Sequence, residues 1–346
     1  MTVPIPSTLD ELLTPDWLTA ALGTRFPGIQ VTRVVPGEVI SRVATNARFT
    51  IDCADGLPAG LSPHLCAKGY FTETGAVARF AGLPEALFYK EIAASTGMRT
   101  LRCVYADYDA ETMFNVVLTE DVAVKGAKFL DGNSPYTADQ AAQSLEELAR
   151  LHAATWEGPQ FADTAWLDSR MEQYTRTRGL EEITGNFDGP IGARVPAEVR
   201  DARLLYDTYS ALGRQVRNEL PWCVIHGDTH IGNVYLDADG RPSFVDWQLV
   251  QRGPWYLDVG YHVATALSVE DRRANERDLV AHYLDHLAAD GTRRLDESSV
   301  WRGYRRGIVH GFYLWAITLK VDPEITTRLL HRLGTAASDH DVFAAV

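Results

Sequence analysis

Cysteine is scarce and scattered: the four, Cys53, Cys66, Cys103 and Cys223, include no C-x-x-C pair. That spacing supports neither a disulfide framework nor a thiolate zinc site, and it fits a reducing compartment. Apolar runs are short, and nowhere do about 18 apolar residues follow one another, so no membrane span is expected. The opening MTVPIPSTLDELLTPDW has no basic stretch leading into an apolar core, so a soluble, unexported, cytoplasmic protein is expected. Positive charge is also in deficit, with 33 Lys and Arg against 46 Asp and Glu and a formal net charge of −13. Such a balance repels phosphate backbones and removes most of the electrostatic term on which nucleic-acid binding depends, so no nucleic-acid partner is expected. The acidity suits a cationic substrate, or simply a solvated surface. No internal repeat and no low-complexity segment is visible.

What is present fits two lobes. At 346 residues the chain exceeds the roughly 250 to 300 at which one hydrophobic core stops growing, and 46% apolar residues can fill two. Thr14 and Pro15 open a short helix that Gly23 stops, with Thr14 placed to cap and Pro15 at the first helical position. Residues 31 to 124 read mainly as strands, at 31–35, 48–53, 64–70, 101–107 and 113–119, interrupted by one helix, PEALFYKEIAAS. From about residue 125 long helical patterns take over. The first follows a capping box of Thr137 and Gln140 and carries the stripe Ala141, Leu145, Leu148 and His152. Others are expected around 201–217, 270–289 and 299–319, the last with Trp301, Tyr304, Ile308, Phe312 and Trp315 as a core stripe. The expectation is an α+β fold divided at residues 1–121 and 122–346.

The most informative stretch is PWCVIHGDTHIGNVYLDADGRPSFVDWQ, residues 221–248. It reads as a strand, a polar loop and a hairpin turning at Asp237 to Gly240. Pairing 234–236 with 242–245 brings Asn233, at the start of one strand, beside Asp246, at the end of the other. An amide oxygen and a carboxylate are hard donors, suited to Mg2+ that keeps several waters and shares nucleotide phosphates. Asp228, five residues before Asn233, is placed to accept a proton from a substrate hydroxyl as its oxygen attacks a terminal phosphate.

H-G-D-x-x-x-x-N followed by an aspartate on the next hairpin resembles the catalytic loop and metal aspartate of the aminoglycoside phosphotransferase and choline kinase superfamily, with a texture closest to its ecdysteroid-kinase-like branch. The resemblance implies a protein-kinase-like two-lobed fold, with a small antiparallel-sheet N-terminal lobe carrying one main helix and a large, mainly helical C-terminal lobe. It also implies ATP and Mg2+ as cofactors and transfer of the γ-phosphate to a small-molecule hydroxyl. Asp228 falls on the catalytic base, Asn233 and Asp246 on the metal ligands, and His226 and Asp258 on positions that brace the loop. HLCAKGYF looks like the strand whose lysine contacts the phosphates, and EALFYKEIA like the helix whose glutamate pairs with it; these residues are Lys68 and Glu85. LTEDVA is similar to the hinge, where backbone groups of Glu120, Asp121 and Val122 would meet the adenine. LARLHAATW resembles the first long helix of the large lobe.

Two features depart from that pattern. There is no G-x-G-x-x-G loop; Gly37 and the run SRVATN stand there instead, with Ser41, Thr45 and Asn46 small enough to let backbone N–H groups approach phosphate. Gln248 replaces an acidic residue common in aminoglycoside enzymes. Other readings of single residues stay open. Asp258 also suits a cap for a helix near Val259, and His152 and His310 suit satisfied core positions. His226, Asp228 and His230 suit the H-x-D-x-H site of a metal-dependent hydrolase. A nucleotide-binding pseudokinase would share the fold, whereas a protein kinase would carry an A-P-E signature and an activation loop, for which 246–258 leaves little room. The acceptor and the oligomeric state are not legible, since acceptor specificity in such folds comes from helices and loops without a readable motif.

Overall fold

The computed structural model describes residues 3–289 and 295–346. The chain folds as two compact units. The first comprises Met1–Ser95, Thr100–Lys128 and Asp246–Gln248; the second comprises Thr96–Arg99, Phe129–Val245 and Leu249–Val346. Among the described residues no helix is long and apolar enough to cross a membrane.

In the first unit, helix α1 (Pro15–Gly23) starts as its sequence requires: the Thr14 hydroxyl accepts from the Trp17 N–H at 3.3 Å and Pro15 occupies the first turn. Five strands follow, β1 (Val31–Ser41), β2 (Thr45–Cys53), β3 (His64–Gly69), β4 (Cys103–Tyr108) and β5 (Asn115–Glu120), in one antiparallel sheet of order β1-β2-β3-β5-β4. Successive strand side chains face opposite ways. Leu65 and Ala67 of β3 therefore join Phe49, Ile51, Val116 and Leu118 in a core closed by Leu18, Ala21 and Leu22 of α1. Lys68, one residue on, faces the other way.

On that other face lies helix α2 (Leu83–Leu87), which continues through a π-helical turn, Phe88–Ile92. A short helix, Glu73–Ala78, which the strand-and-one-helix expectation lacks, precedes it. β1 is also longer than expected, running on to Ser41, where it pairs with Thr45.

The second unit is mainly helical. Its principal helices are α3 (Ala138–Thr155), α4 (Ala202–Val216), α5 (Tyr256–Ala266), α6 (Val269–Leu287), α7 (Glu297–Ala316) and α8 (Pro323–Asp339). Both halves of the capping box at the head of α3 are present. Tyr304, Ile308, Phe312 and Trp315 of α7 are buried, as a core stripe should be, and Trp301 is half-buried. Helices α5 and α7 cross at glycines: a Cβ on Gly307 would strike the Tyr256 carbonyl, and one on Gly260 the Tyr304 carbonyl.

Short strands complete the unit. β6 (Cys223–Ile225) pairs with β9 (Gln251–Gly253), and β7 (Val234–Leu236) with β8 (Pro242–Phe244), all antiparallel. The register Val234↔Phe244 is the one the hairpin pattern requires.

Candidate active site

Within the first unit, three residues distant in sequence converge. Lys68 Nζ lies 2.6 Å from Glu85 Oε2 and 3.0 Å from Asp246 Oδ1. Burial alone would lower the Lys68 pKa, but the two carboxylates outweigh it and raise the value, so the ammonium stays charged. Glu85 is buried, whereas the Asp246 side chain is 41% exposed and turned toward solvent.

The peptide that brings Asp246 into this unit is pinned by its neighbours. Trp247 stacks on Phe88 at 3.8 Å between ring centroids, and Gln248 Nε2 donates to the Tyr70 hydroxyl at 2.9 Å. Gln248 thus serves as a tether. Asp246 itself takes a left-handed backbone conformation, φ +65°, which a short polar side chain tolerates better than a bulky one and which concentrates at functional sites.

Within the second unit, the loop after β6 holds Asp228. Its Oδ1 accepts from the Tyr261 hydroxyl at 2.9 Å, and its Oδ2 accepts from Asn233 Nδ2 at 3.2 Å. Asn233 Nδ2 also donates to the Asp228 carbonyl at 2.8 Å, which commits the amide nitrogen to the loop and leaves the amide oxygen to face elsewhere. Burial and the Asp228 charge raise the Tyr261 pKa well above its ordinary value, so the phenol remains a donor. The Val245 N–H donates to the Asn233 carbonyl at 2.9 Å, and Asp246 follows Val245 directly in the chain.

Asp258 organises that loop. Fully buried, it accepts from the backbone N–H groups of His226 at 2.7 Å and Gly227 at 2.8 Å, and from His152 Nε2 at 3.2 Å. Burial by itself would raise its pKa, but these donors reverse that and hold it below the usual carboxylate value. Its position corrects the cap reading: α5 begins at Tyr256, Trp255 is its N-cap, and Asp258 lies inside the first turn with its carboxylate spent on the loop.

Gly227 takes φ +80°, and a Cβ there would strike the Leu249 carbonyl, so only glycine fits between His226 and Asp228. His226 Nδ1 accepts from the Asp228 N–H at 3.2 Å while Nε2 donates to the Val245 carbonyl at 3.0 Å, tying the loop to the end of the hairpin. His230 Nδ1 accepts from the Gly232 N–H at 3.0 Å. Both ring nitrogens of His226 are engaged by the backbone, while His230 Nε2 lies 3.7 Å from Asp228 Oδ2; among the described residues His226, Asp228 and His230 do not bring three ligand atoms within 4.8 Å of one another.

The remaining expected residues lie in unit one. Ser41 and Thr45 face each other across the β1–β2 turn, hydroxyl to hydroxyl at 3.3 Å, and Asn46 pairs in register with Lys68. At the end of β5 the N–H groups of Glu120 and Asp121 donate to the Arg102 and His64 carbonyls, each at 3.0 Å. The Glu120 carboxylate pairs with Arg102 and Lys125, and Asp121 Oδ1 accepts from the Ala123 N–H.

Residues 119–297, more than half of the chain, match the family described as "Phosphotransferase enzyme family", APH. The chain belongs to the phosphotransferase enzyme family. Its fold is α+β, with a five-stranded antiparallel sheet in the smaller unit and mainly helices in the larger, the element content expected of a protein-kinase-like fold. Over 153 residues it is 26% identical to an uncharacterized kinase-like protein of Caenorhabditis elegans, a match that spans 43% of this chain and 41% of that protein's length. Among solved structures it is similar to spectinomycin phosphotransferase APH(9)-Ia in complex with ADP and spectinomycin, at 12% identity over 96% of this chain and 98% of that one, with a TM-score of 0.49. It is also similar to an ethanolamine kinase of Plasmodium vivax, at 13% identity over 95% and 89% of the two chains and a TM-score of 0.49. For choline kinase LicA of Streptococcus pneumoniae the values are 11%, 94%, 98% and 0.45.

Several supports of the loop were not legible as such in the sequence. His310, read as a core histidine, is buried, and its Nε2 donates to the Gly227 carbonyl at 3.0 Å while Nδ1 accepts from Tyr209 at 3.2 Å. His152, likewise buried, links Asp258 to the Tyr283 hydroxyl, 2.8 Å from its Nδ1. His262 Nδ1 donates to the Thr229 carbonyl at 2.8 Å, and burial pushes its pKa down to about 4. Only helical spacing onto an apolar face marked His152 and His310, and that pattern does not say which loop the ring will meet.

Proposed function

We propose that the chain is an ATP- and Mg2+-dependent O-phosphotransferase acting on the hydroxyl of a small molecule, with residues 1–121 as the nucleotide lobe and 122–346 as the catalytic and acceptor lobe. The observation that carries the proposal is the half-buried Lys68 ammonium held between Glu85 and Asp246. A half-buried cation fixed by one inaccessible and one accessible carboxylate is an arrangement that phosphate oxygens can enter, displacing Asp246 while Glu85 keeps the lysine in place.

The donor set suits Mg2+: Asn233 offers an amide oxygen because its nitrogen is committed to Asp228, and Asp246 offers a solvent-facing carboxylate. When bound there, the ion would neutralise phosphate charge. The chain's own residues do the rest. Lys68 binds phosphate oxygens, and the Val122 N–H is the backbone donor left for adenine once those of Glu120 and Asp121 are spent in the sheet. Ser41, Thr45 and Asn46 border the phosphates. Asp228, oriented by Tyr261 and Asn233, accepts the proton of the acceptor hydroxyl as its oxygen bonds to the γ-phosphorus and the bond from that phosphorus to the ADP oxygen breaks. His226 and Asp258 hold the loop through which Asp228 is presented.

The acceptor is drawn from the hydroxylated small molecules: aminoglycosides and other glycosylated antibiotics, amino alcohols, or steroid- and polyketide-like metabolites. The test is incubation with ATP and Mg2+ against such a panel, read as a mass gain of one phosphoryl group, alongside calorimetric titration with Mg-ATP. Saturable Mg-ATP binding that Lys68→Met weakens is expected. A chain that binds no purine nucleotide in the presence of Mg2+ sinks the proposal.

A further inference from the structure

Outside the loop and the lysine site, α3 and α6 carry a second cluster of ligating groups. His282 and His286 stand one turn apart on α6, and Glu146 faces them from α3. Glu146 Oε1 lies 3.1 Å from His282 Nε2 and 3.8 Å from His286 Nε2, and the three ligand atoms all fall within 4.8 Å of one another. Among the described residues this is the one such group of three.

The chemistry of the surroundings favours a metal over an ion pair. An ion pair with one carboxylate needs one imidazole, yet a second ring sits 4.3 Å from the first, centroid to centroid, where two imidazolium ions would repel. A metal uses both rings neutral. His286 Nδ1 donates to the His282 carbonyl at 2.9 Å, which fixes the tautomer with its lone pair on Nε2, the atom facing Glu146. That outer support is characteristic of metal-bound imidazoles. Arg150 approaches the other carboxylate oxygen, Oε2, at 3.4 Å, leaving Oε1 to the histidines. Tetrahedral zinc with bonds near 2.0 to 2.1 Å wants donor atoms about 3.3 Å apart, and the two carboxylate–imidazole distances bracket that value.

We propose that Glu146, His282 and His286 form a binding site for a first-row transition dication, Zn2+ being the best match to two imidazoles and one carboxylate. Water takes the fourth position, because all three side chains are partly exposed. The site ties α3 to α6, the helices that also carry His152 and Tyr283. It stands whether or not the phosphotransferase reading does.

The test uses the full chain freed of metal with a chelator and titrated with Co2+, whose four-coordinate complexes absorb visibly, and then with Zn2+. One Co2+ per chain should bind, Zn2+ should displace it, and Zn2+ should raise the melting temperature. His286→Ala should weaken binding by at least about 100-fold, the upper end of what even an outer-shell partner contributes, and Glu146→Gln should weaken it as well. Both variants should melt with the wild type when metal is absent, since the side chains are partly exposed. Asn233→Ala should leave the Co2+ spectrum unchanged. Absence of saturable binding, or equal binding by His286→Ala, overturns the proposal.

Discussion

At the scale of single residues, Asp228 in the loop and Asp258 in the first turn of α5 have opposite surroundings and therefore different parts to play. Asp228 is partly exposed and accepts from a phenol and an amide, with His230 Nε2 3.7 Å from its Oδ2, whereas Asp258 is fully buried and accepts from two backbone N–H groups and an imidazole N–H. Asp228→Asn keeps the shape but cannot take a proton. It should lower kcat by roughly 10²- to 10⁴-fold, the contribution of a general base, with Mg-ATP affinity little changed; steady-state rates and calorimetry check both halves. Asp258→Asn places an NH2 group against two backbone N–H groups, and should destabilise the fold by roughly 3 kcal/mol, since each hydrogen bond to a buried charge contributes about 1.5 to 3. Urea unfolding reads that loss directly.

At the scale of elements, glycine positions and one histidine make the expectations concrete. Gly307→Ala forces a methyl group into the Tyr256 carbonyl at the crossing of α5 and α7, and such overpacking costs about 1 to 3 kcal/mol. Gly185, inside the helix Leu180–Asp188, has nothing within 4 Å of its Cβ position, so Gly185→Ala should instead stabilise by about 0.5 to 1 kcal/mol. Paired denaturation curves would show the opposite signs.

His262 on α5 gives a pH dependence. Its folded pKa is held down to about 4, while the unfolded side chain protonates near its ordinary value of roughly 6.5. The unfolded state therefore binds the extra proton in that window. This part of the stability is complete above about pH 6.5 and is lost as pH falls toward 4, and His262→Gln should flatten the stability profile across that range.

At the scale of the whole molecule, the phosphotransferase reading predicts linkage between ligand and stability. Anything that binds the folded chain but not the unfolded one stabilises it, by about 2.7 kcal/mol at a ligand concentration 100 times Kd. Mg-ATP should therefore raise the melting temperature, EDTA with ATP should raise it less, and Lys68→Met should remove most of the shift; differential scanning fluorimetry measures all three. If Mg-ATP leaves the melting temperature of the wild type unchanged at millimolar concentration, the nucleotide assignment falls.

Much of this was legible from local pattern. The caps at Thr14 and Thr137, the strands of the sheet, the hairpin register across 234–236 and 242–244 and the helices of the second half follow from side-chain periodicity and from which residues satisfy free backbone groups. These interactions reach only a few residues along the chain, so the sequence determined them by itself. Tertiary structure alone decided that Asp246–Gln248 packs into the first unit against Lys68, Phe88 and Tyr70, which of the two roles open to Asp258, loop brace or helix cap, it takes, and that His152, His262 and His310 steady that loop. Each of those contacts joins residues 31 to 178 positions apart. A buried polar group takes whatever partner the packing of distant elements delivers, and no local period records which one that will be.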